Sequence, residues 1–363
     1  MFDNLFNKFF PVPQFLSTPS FGLDISDESL KYIQLITTRD GVRVGRFGER
    51  DIPPHVIESG QIKEPMKLQE ILVKLRTEEN VKSVRVSLPE EQVYLFELKL
   101  EKVDVVNVRE SIELALEEHV PVPAHDAIFD YEILKQDAVN LEVQVAVIPK
   151  DVIDNYLSVF QDADIVVQSL ELEAQAISRA VVKKGDTDTY MIVDFGEKRT
   201  GIFIVSRGVV MFTSTLDVGG VMLNEMIAKN FKVTLLEAEK MKRKYGLQRN
   251  TENKEIFSVI LNIVSVLRDE LVKHFVYWQT HKDDEGNTNP PIKKIILCGG
   301  DANLIGLAEY FSVSMKCAVE MSNVWVNITN TTQYIPDMSF RQALSYATAL
   351  GLSLGDFEKT DLK

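Results

Sequence analysis

One pattern occurs twice in this 363-residue chain and limits what it can fold into: a strand ending on an aspartate, a tight polar turn and a returning strand. The first copy is FGLDISDESLKYIQLI, with Asp24 at the strand end, and the second is YMIVDFGEKRTGIFIVSRG, with Asp194. The two aspartates are 170 residues apart, a domain length. One copy alone is typical of a capped turn, but two copies at this spacing predict a duplicated fold.

The rest of the chain alternates helical and strand patterns, which predicts an α/β fold. Residues 64–79 fit an amphipathic helix opened by Glu64 and Pro65, and residues 254–280 fit a long helix. Between residues 90 and 165 the order strand, helix, strand, strand, helix predicts a small α+β insertion. We find no cluster of chemically active residues within that insertion.

Composition narrows the function classes. A net charge of −14 argues against a general electrostatic grip on nucleic acid or anionic lipid. Cys298 and Cys317 lack CxxC spacing and a neighbouring histidine, so they predict neither a zinc site nor a disulfide framework, and they suit a reducing cytosol. No apolar run reaches the roughly 20 residues of a membrane-spanning helix, and the start of the chain does not resemble a signal peptide.

The first 20 residues carry a separate pattern. Their apolar positions lie on one face of a short helix that two prolines end. We leave three interpretations open: docking on the protein body, binding in a membrane interface, or disorder. The apolar positions are Phe2, Leu5, Phe6, Phe9 and Phe10, and the prolines are Pro11 and Pro13.

The repeated hairpins predict a polyphosphate and metal site. Tight turns present successive backbone N–H groups to phosphate oxygens, and Gly196 allows the backbone to approach closely. Ser26 and Thr200 can add hydroxyl donors. Carboxylates repel phosphates, so Asp24 and Asp194 belong there if hydrated Mg²⁺ bridges the two. Two such turns facing each other would hold a triphosphate from both sides.

Two further stretches suit a nucleoside. In KKIILCGGDANLIGLAEYF a strand leads through Gly299 and Gly300 into a helix, where a flat ligand can approach. In EAEKMKRKYG, Glu239, Lys242 and Arg243 share one helical face. They can contact ribose, base and phosphates, or they can form a surface ladder of ion pairs, and the spacing allows both.

Five stretches together resemble the actin, sugar-kinase and heat-shock-chaperone ATPase superfamily, over about residues 21–355. GLDISDESLK resembles the first phosphate loop and VDFGEKRTGIFIVSRG the second. IILCGGDANLIGL resembles the adenosine motif, and LELEAQAISRA and ALSYATALGLSL resemble the two connecting helices.

Within the superfamily the chain is most similar to the PilM family of type IV pilus assembly, a relative of FtsA. The MFxxLF start, LELEA and the insertion carry this resemblance, and the polar end GLSLGDFEKTDLK is unlike the membrane helix of FtsA. The resemblance implies an actin-like ATPase fold of two duplicated RNase H-like domains with a 1C insertion. Its expected parts are a tail (1–20), domain 1 (21–185 plus 340–363, with 1C at about 84–166) and domain 2 (186–339, with a 2B insertion at about 219–292).

The resemblance also implies ATP and Mg²⁺ in a cleft between the domains, with Asp24 and Asp194 holding the hydrated metal. Arg199 can pair with phosphate, with Glu197 or with solvent, and the sequence does not choose. The residues expected around the phosphates are Ser26, Ser29, Lys31, Gly196, Arg199 and Thr200, and those around the nucleoside are Glu239, Lys242, Arg243, Gly299, Gly300 and Asn303.

Hydrolysis in this superfamily needs an acidic or amide side chain on the first connecting helix to orient water. Glu171 and Glu173 are the candidates, and Glu173 also fits a helix cap. We therefore expect ATP binding with slow or negligible turnover.

As partner, the family resemblance implies the N-terminal cytoplasmic peptide of a PilN-like membrane protein, docked between subdomains 1A and 1C. It places the chain in the cytoplasm, at the inner membrane through that partner. Two alternatives stay open, an FtsA-like filament former and a small-molecule kinase, although we find no residues arranged to bind a kinase acceptor.

Overall fold

The computed structural model describes residues 20–38, 41–101, 107–137, 140–249, 253–282, 286, 288–328 and 336–358. The interpretations of the N-terminal tail therefore lie outside the described residues. The strands are β1 (Phe21–Ile25), β2 (Ser29–Thr38), β3 (Gly41–Asp51), β4 (Ile57–Glu58), β5 (Gln61–Ile62), β6 (Ser83–Leu88), β7 (Tyr94–Glu101), β8 (Ala127–Gln136), β9 (Asn140–Pro149), β10 (Val166–Leu172), β11 (Thr189–Phe195), β12 (Thr200–Ser206), β13 (Val209–Leu216), β14 (Ile292–Cys298) and β15 (Val319–Met321).

The helices alternate with these strands. None of those in the described part of the chain is long and apolar enough to cross a bilayer. The helices are α1 (Pro65–Glu79), α2 (Val108–His119), α3 (Lys150–Asp162), α4 (Glu173–Val181), α5 (Gly220–Phe231), α6 (Leu235–Tyr245), α7 (Lys254–Thr280), α8 (Leu307–Met315), α9 (Phe340–Ala343) and α10 (Ala347–Glu358), with 3₁₀ turns at Glu90–Gln92, Ala124–Asp126, Asp301–Asn303 and Leu344–Tyr346.

Two five-stranded sheets share one topology, as the duplicated pattern predicts. The first has the strand order β10-β6-β1-β2-β3, and the second has β13-β12-β11-β14-β15. In each, an antiparallel meander opens the sheet, and the first strand of that meander then pairs in parallel with a later strand. The expected duplication is therefore present in the strand pairing as well as in the sequence.

Local signals explain where several helices start and stop. Pro65 occupies the first turn of α1, where its missing N–H costs nothing. Thr234 forms a capping box with Glu237 at the start of α6, because each side chain bonds to the other residue's backbone N–H. Gly246 ends α6 at a positive φ of 52°. The start of α1 agrees with the sequence prediction.

Three cores hold the two sheets. The first sheet packs against α1 and α3 on its outer face. The second sheet packs against α5, α7 and α8 on its own outer face. A third core lies between the sheets, where α4 and α10 contact Ile33 and Leu35 on one side and Ile192 and Phe203 on the other. The two halves therefore share apolar contacts through these two helices.

Helix α10 approaches its neighbours very closely. A Cβ built at Gly22 on β1 would lie 1.8 Å from the Ala349 carbonyl oxygen, and one at Gly351 would lie 1.7 Å from the Ala176 oxygen. Real side chains cannot occupy such positions, so glycine is required at both. This packing fixes α10 across β1 and α4.

The insertion is a separate unit. Strands β7, β9 and β8 form an antiparallel sheet that covers α2 with its own apolar core. We expected the insertion at about 84–166, but β6 lies inside the first sheet and α3 packs on that sheet's core. The part with its own core runs over residues 94–149.

The segment after Gly300 differs from the expected helix. A single 3₁₀ turn, Asp301–Asn303, follows the two glycines. Gly306 then adopts a positive φ of 83°, and α8 starts only at Leu307. The left-handed residue interrupts the helix because a regular helix needs a negative φ.

Candidate functional site

The first hairpin turns at residues 26–29. The turn is closed by Ser26 N donating to Ser29 O at 2.9 Å, and Ser29 N donates to Ser26 Oγ at 3.2 Å. Lys31 lies opposite Asp24 in the strand pair and donates to Ser29 Oγ at 2.6 Å. The Ser87 hydroxyl, on β6, donates to Asp24 Oδ1 at 2.9 Å. This turn therefore brings Ser26, Ser29 and Lys31 together beside Asp24.

The second hairpin has the same construction. Gly196 N donates to Arg199 O at 2.9 Å and closes a turn at residues 196–199. Asp194 lies on β11 between Gly201 and Cys298 of the neighbouring strands. Thr200, however, is fully buried and its hydroxyl donates to Val218 O at 2.6 Å. The structure thus directs Thr200 into the protein, away from the position expected of a phosphate ligand.

Asp24 and Asp194 lie close enough to repel each other. Burial raises the pKa of Asp194 to about 6, the charge of Asp24 adds to that rise, and Lys31 opposes it. Burial also raises the pKa of Asp24, against the lowering effect of Lys31 and of the Ser87 hydrogen bond. Both side chains are only partly accessible. A positive charge placed between them would relieve this repulsion.

The two candidate water-orienting glutamates have different surroundings. Glu173, the first residue of α4, is half-buried, and burial together with the charges of Asp24 and Asp194 raises its pKa well above the usual value. Glu171 instead accepts from Arg85 at 3.0 Å and from Arg179 at 2.7 Å. The structure therefore places Glu173 with the cleft aspartates and Glu171 in an ion-pair network.

The ion-pair network around Glu171 joins separate elements of the fold. Arg85 also donates to Asp356 Oδ1 on α10 at 2.8 Å, so it joins the first sheet to the last helix. The paired arginines hold the pKa of Glu171 below its ordinary value even though burial acts in the opposite direction. No side-chain cap hydrogen bond forms at Leu172, the N-cap of α4. Glu173 lies in the first turn of α4, where the helix dipole favours a negative charge, so the helix-cap interpretation stays open.

Gly299 and Gly300 follow β14 directly behind Asp194. Gly299 has a φ of 89°, and a Cβ there would lie 2.5 Å from Asp194 Oδ1. At Gly300 the nearest atom to a Cβ would be the Cβ of Ser345 at 3.7 Å, an ordinary van der Waals distance, so a small side chain could be placed there without a clash. Asn303 folds back and donates to Gly300 O at 3.1 Å and to Arg341 O at 2.9 Å. Asn303 thus shapes the loop that contains Gly300.

The three residues predicted on α6 divide into two kinds. Lys242 is only 4% exposed and its Nζ donates to Asp301 Oδ1 at 2.6 Å and to Gly220 O at 3.3 Å. Glu239 and Arg243 pair with each other at 2.5 Å nearer the surface. Lys242 therefore ties the loop after Gly300 to the start of α5, whereas Glu239 and Arg243 form the ion pair that the spacing also allowed.

Ion pairs across the cleft were not foreseen from the sequence. Arg199, in the second hairpin, pairs with Asp27 in the first hairpin and with Glu91 in the Glu90–Gln92 turn. Lys198 pairs with Glu28 at 3.0 Å. The DES and EKR turns carry opposite charges in the sequence, but only the fold shows that they face each other.

The residues present fit a nucleotide with a hydrated cation. Two tight turns lie beside the aspartates, Lys31 and Arg199 supply positive charge, and glycines begin the loop expected to contact a nucleoside. Asp24 and Asp194 are fewer ligands than Mg²⁺ takes, and Mg²⁺ usually keeps several waters and phosphate oxygens. Among the residues that the structure describes, no three His, Cys, Asp or Glu side chains converge to hold an ion by themselves.

Comparison with known proteins assigns the fold. The family model described as type IV pilus assembly protein PilM matches residues 22–357. The solved structure of a PilM-PilN type IV pilus biogenesis complex contains a similar chain, with a TM-score of 0.75 and 21% identity over 93% of this chain and 98% of that one. The structure of MreB5 of Spiroplasma citri bound to ADP has a TM-score of 0.56 and 14% identity, covering 95% of this chain and 98% of its own. The predicted actin-like ATPase fold is confirmed.

A curated relative matches a shorter stretch. Ethanolamine utilization protein EutJ of Escherichia coli strain K12 is 28% identical over 149 residues. The alignment covers 40% of this chain and 47% of that relative, so the chain spans about half the length of the relative it matches.

Proposed function

The chain belongs to the family of the type IV pilus assembly protein PilM, and from this premise we propose that it is an ATP-binding scaffold of the inner-membrane platform of a type IV pilus. One observation carries the proposal. The two halves of the molecule each present a strand-end aspartate, and Asp24 and Asp194 lie near enough for the charge of one to raise the pKa of the other. A nucleotide with Mg²⁺ between the two hairpins would relieve this repulsion.

Each group in the cleft has a defined part in this proposal. Asp24 and Asp194 would hold a hydrated Mg²⁺, which would neutralise phosphate charge. Backbone N–H groups of the two turns, with Lys31 and Arg199, would bind the phosphates. The loop that begins with Gly299 and Gly300 would contact the nucleoside, and the ion pair of Lys242 with Asp301 keeps that loop in position.

Slow turnover follows from the state of Glu173. A general base must accept a proton, and burial beside two aspartates favours the protonated form of Glu173. The scaffold therefore binds ATP and hydrolyses it slowly.

The proposed partner is the N-terminal cytoplasmic peptide of a PilN-like membrane protein. Similarity over most of the chain to the PilM-PilN complex supports this choice. The insertion, residues 94–149, supplies a separately packed sheet beside the first core, and the peptide would dock in the groove between them. Through this partner the chain would sit on the cytoplasmic side of the inner membrane.

Calorimetric titration with ATP tests the nucleotide site. We expect Mg²⁺-dependent binding that Asp24→Asn weakens at least about tenfold, since one metal-binding carboxylate is lost. Asp188→Asn is the matched control, because Asp188 pairs with Lys293 on the surface. Equal affinity for ATP in EDTA and in excess Mg²⁺ would contradict the proposed metal site.

Fluorescence anisotropy with a labelled PilN-type N-terminal peptide tests the partner. A scrambled peptide of the same composition is the control. We expect saturable binding of the native peptide alone. Identical binding of the two peptides would remove the docking role and leave the nucleotide site unaffected.

A further inference from the structure

We propose that Glu91 and Asp27 form an internal ligand for Arg199, which nucleotide phosphates displace, and that this exchange signals nucleotide binding to the insertion. The inference rests on the proposed nucleotide site and specifies its regulation. It concerns the turn between β6 and the insertion, and the acidic side chains at the tip of the first hairpin.

The first step is charge complementarity between two turns. The tip of the first hairpin carries Asp27 and Glu28, and the second hairpin carries Lys198 and Arg199. The ion pairs Arg199–Asp27 and Lys198–Glu28 join the two tips across the cleft. The two hairpins proposed to bind a triphosphate are therefore joined to each other by ion pairs.

The second step is the environment of Arg199. The exposed fractions of the three side chains are 19% for Arg199, 10% for Asp27 and 20% for Glu91. Ion pairs between such poorly exposed side chains are screened less than surface pairs. Asp27 and Glu91 therefore compete effectively with phosphate for Arg199. Phosphate carries more charge than a carboxylate, and both can form bidentate hydrogen bonds with a guanidinium group. Arg199 can exchange one for the other.

The third step connects Arg199 to the insertion. Glu91 belongs to the Glu90–Gln92 turn, which ends two residues before β7 begins. The same turn packs against β13 of the second sheet. Gln92 Nε2 donates to Ser59 O at 2.9 Å, and Asp27 accepts from Ser59 N at 3.1 Å. Asp27 and Gln92 both bond to Ser59, so loss of the Arg199 ion pairs affects the first hairpin and the Glu90–Gln92 turn together.

The fourth step is that this turn is held at a cost. The neighbouring Glu90 is 5% exposed, and burial raises the pKa of its carboxyl to about 8 although a hydrogen bond from the Ala174 backbone opposes that rise. Burying a carboxyl is unfavourable. The pairing of Glu91 with Arg199 helps to hold this turn in place, so we expect loss of the pair to free the turn to shift.

ATP titrations in Mg²⁺ test the competition. Glu91→Gln removes one internal carboxylate, and we expect about fivefold tighter ATP binding, the upper range for one ion pair. In the Arg199→Gln background the same change should alter the affinity less than about twofold. Glu320→Gln, which breaks the surface pair with Lys294, is the control and should change nothing.

Hydrogen–deuterium exchange tests the signal and needs only the unmodified protein. ATP should speed amide exchange in residues 94–101, and in Glu91→Gln exchange there should be fast without ATP. No ATP-dependent change in that strand overturns the inference. An equal effect of Glu91→Gln on ATP affinity with and without Arg199 also overturns the inference, because it would indicate a general charge effect. Absence of any ATP binding by the unmodified protein removes the proposed nucleotide site as well, so the two failures are distinguishable.

Discussion

Gly299 lies against Asp194 with no room for a side chain between them. A Cβ at Gly299 would be 2.5 Å from Asp194 Oδ1 and 2.4 Å from the Phe195 carbonyl oxygen. The parallel strands β14 and β11 create this contact, because Cys298 pairs with Asp194 immediately before the glycine. The loop proposed to bind the nucleoside and the aspartate proposed to bind the metal are therefore packed directly against each other.

Gly299→Ala should destabilise the protein by about 3 kcal/mol, since it adds a steric clash to the cost of a left-handed φ. Gly208→Ala separates the two effects. Gly208 has a φ of 81° but no atom within 4 Å of a Cβ, so about 1 kcal/mol is expected there. Urea unfolding measures both variants. Equal losses would show that the contact with Asp194 does not matter.

Asp194→Asn should change the dependence of stability on pH. The folded pKa of Asp194, about 6, lies above its ordinary 3.8, so the folded state favours the protonated carboxyl. The contribution of this carboxyl is full below pH 3.8 and is lost as the pH rises to about 6. At pH 7.5 the variant should therefore be up to about 3 kcal/mol more stable than the unmodified protein.

Unfolding in urea at pH 4 and at pH 7.5, without nucleotide, measures this difference. The gain should fall below about 1 kcal/mol at pH 4, where the folded protein carries little charge at this position. A constant gain at both pH values would point to packing and not to ionisation. The same variant should lose Mg²⁺-dependent ATP binding.

Glu171→Gln and Glu173→Gln should have opposite consequences. Glu171→Gln removes the charged partner that Arg85 and Arg179 share. We expect the free energy of unfolding to fall by about 2 kcal/mol and the ATP affinity to stay unchanged. Glu173→Gln replaces a side chain that is largely protonated in the free protein, so stability should change little. Any slow ATP turnover should fall with Glu173→Gln alone. Loss of turnover in Glu171→Gln at full stability would reverse this assignment.

Lys242→Met should destabilise the protein by about 3 kcal/mol, because it leaves the buried carboxylate of Asp301 without its partner. Arg243→Met is the matched control on the same helix. Its side chain is 77% exposed, and we expect less than about 0.5 kcal/mol. Chemical unfolding compares the two, and similar losses would contradict the positioning role of Lys242.

The sequence predicted much of the fold because its signals are local. Alternating apolar residues and turn residues located both meanders, and the capping residues located α6. Pattern alone did not reveal the short pairs β4–β5 and β15. It also missed the break before α8, because Gly306 resembles any other glycine within a helical pattern.

The site was less accessible to prediction, because its contacts join distant parts of the chain. Arg199 and Thr200 are neighbours in sequence, yet one reaches Asp27 across the cleft and the other is buried beneath its own strand. Successive residues of a strand point to opposite faces, and only the register decides which face meets the cleft. Ser87 carried no signal either, since a serine within a buried strand is commonplace.

The insertion is joined to the rest of the chain by two short connections, the Glu90–Gln92 turn and the junction of β9 with α3, and its strand β7 also packs against β13. Its own apolar core lies apart from these contacts. Such a part can diverge in surface while the proposed nucleotide site stays intact. The proposed docking surface and the proposed nucleotide site can therefore evolve at separate rates within one polypeptide.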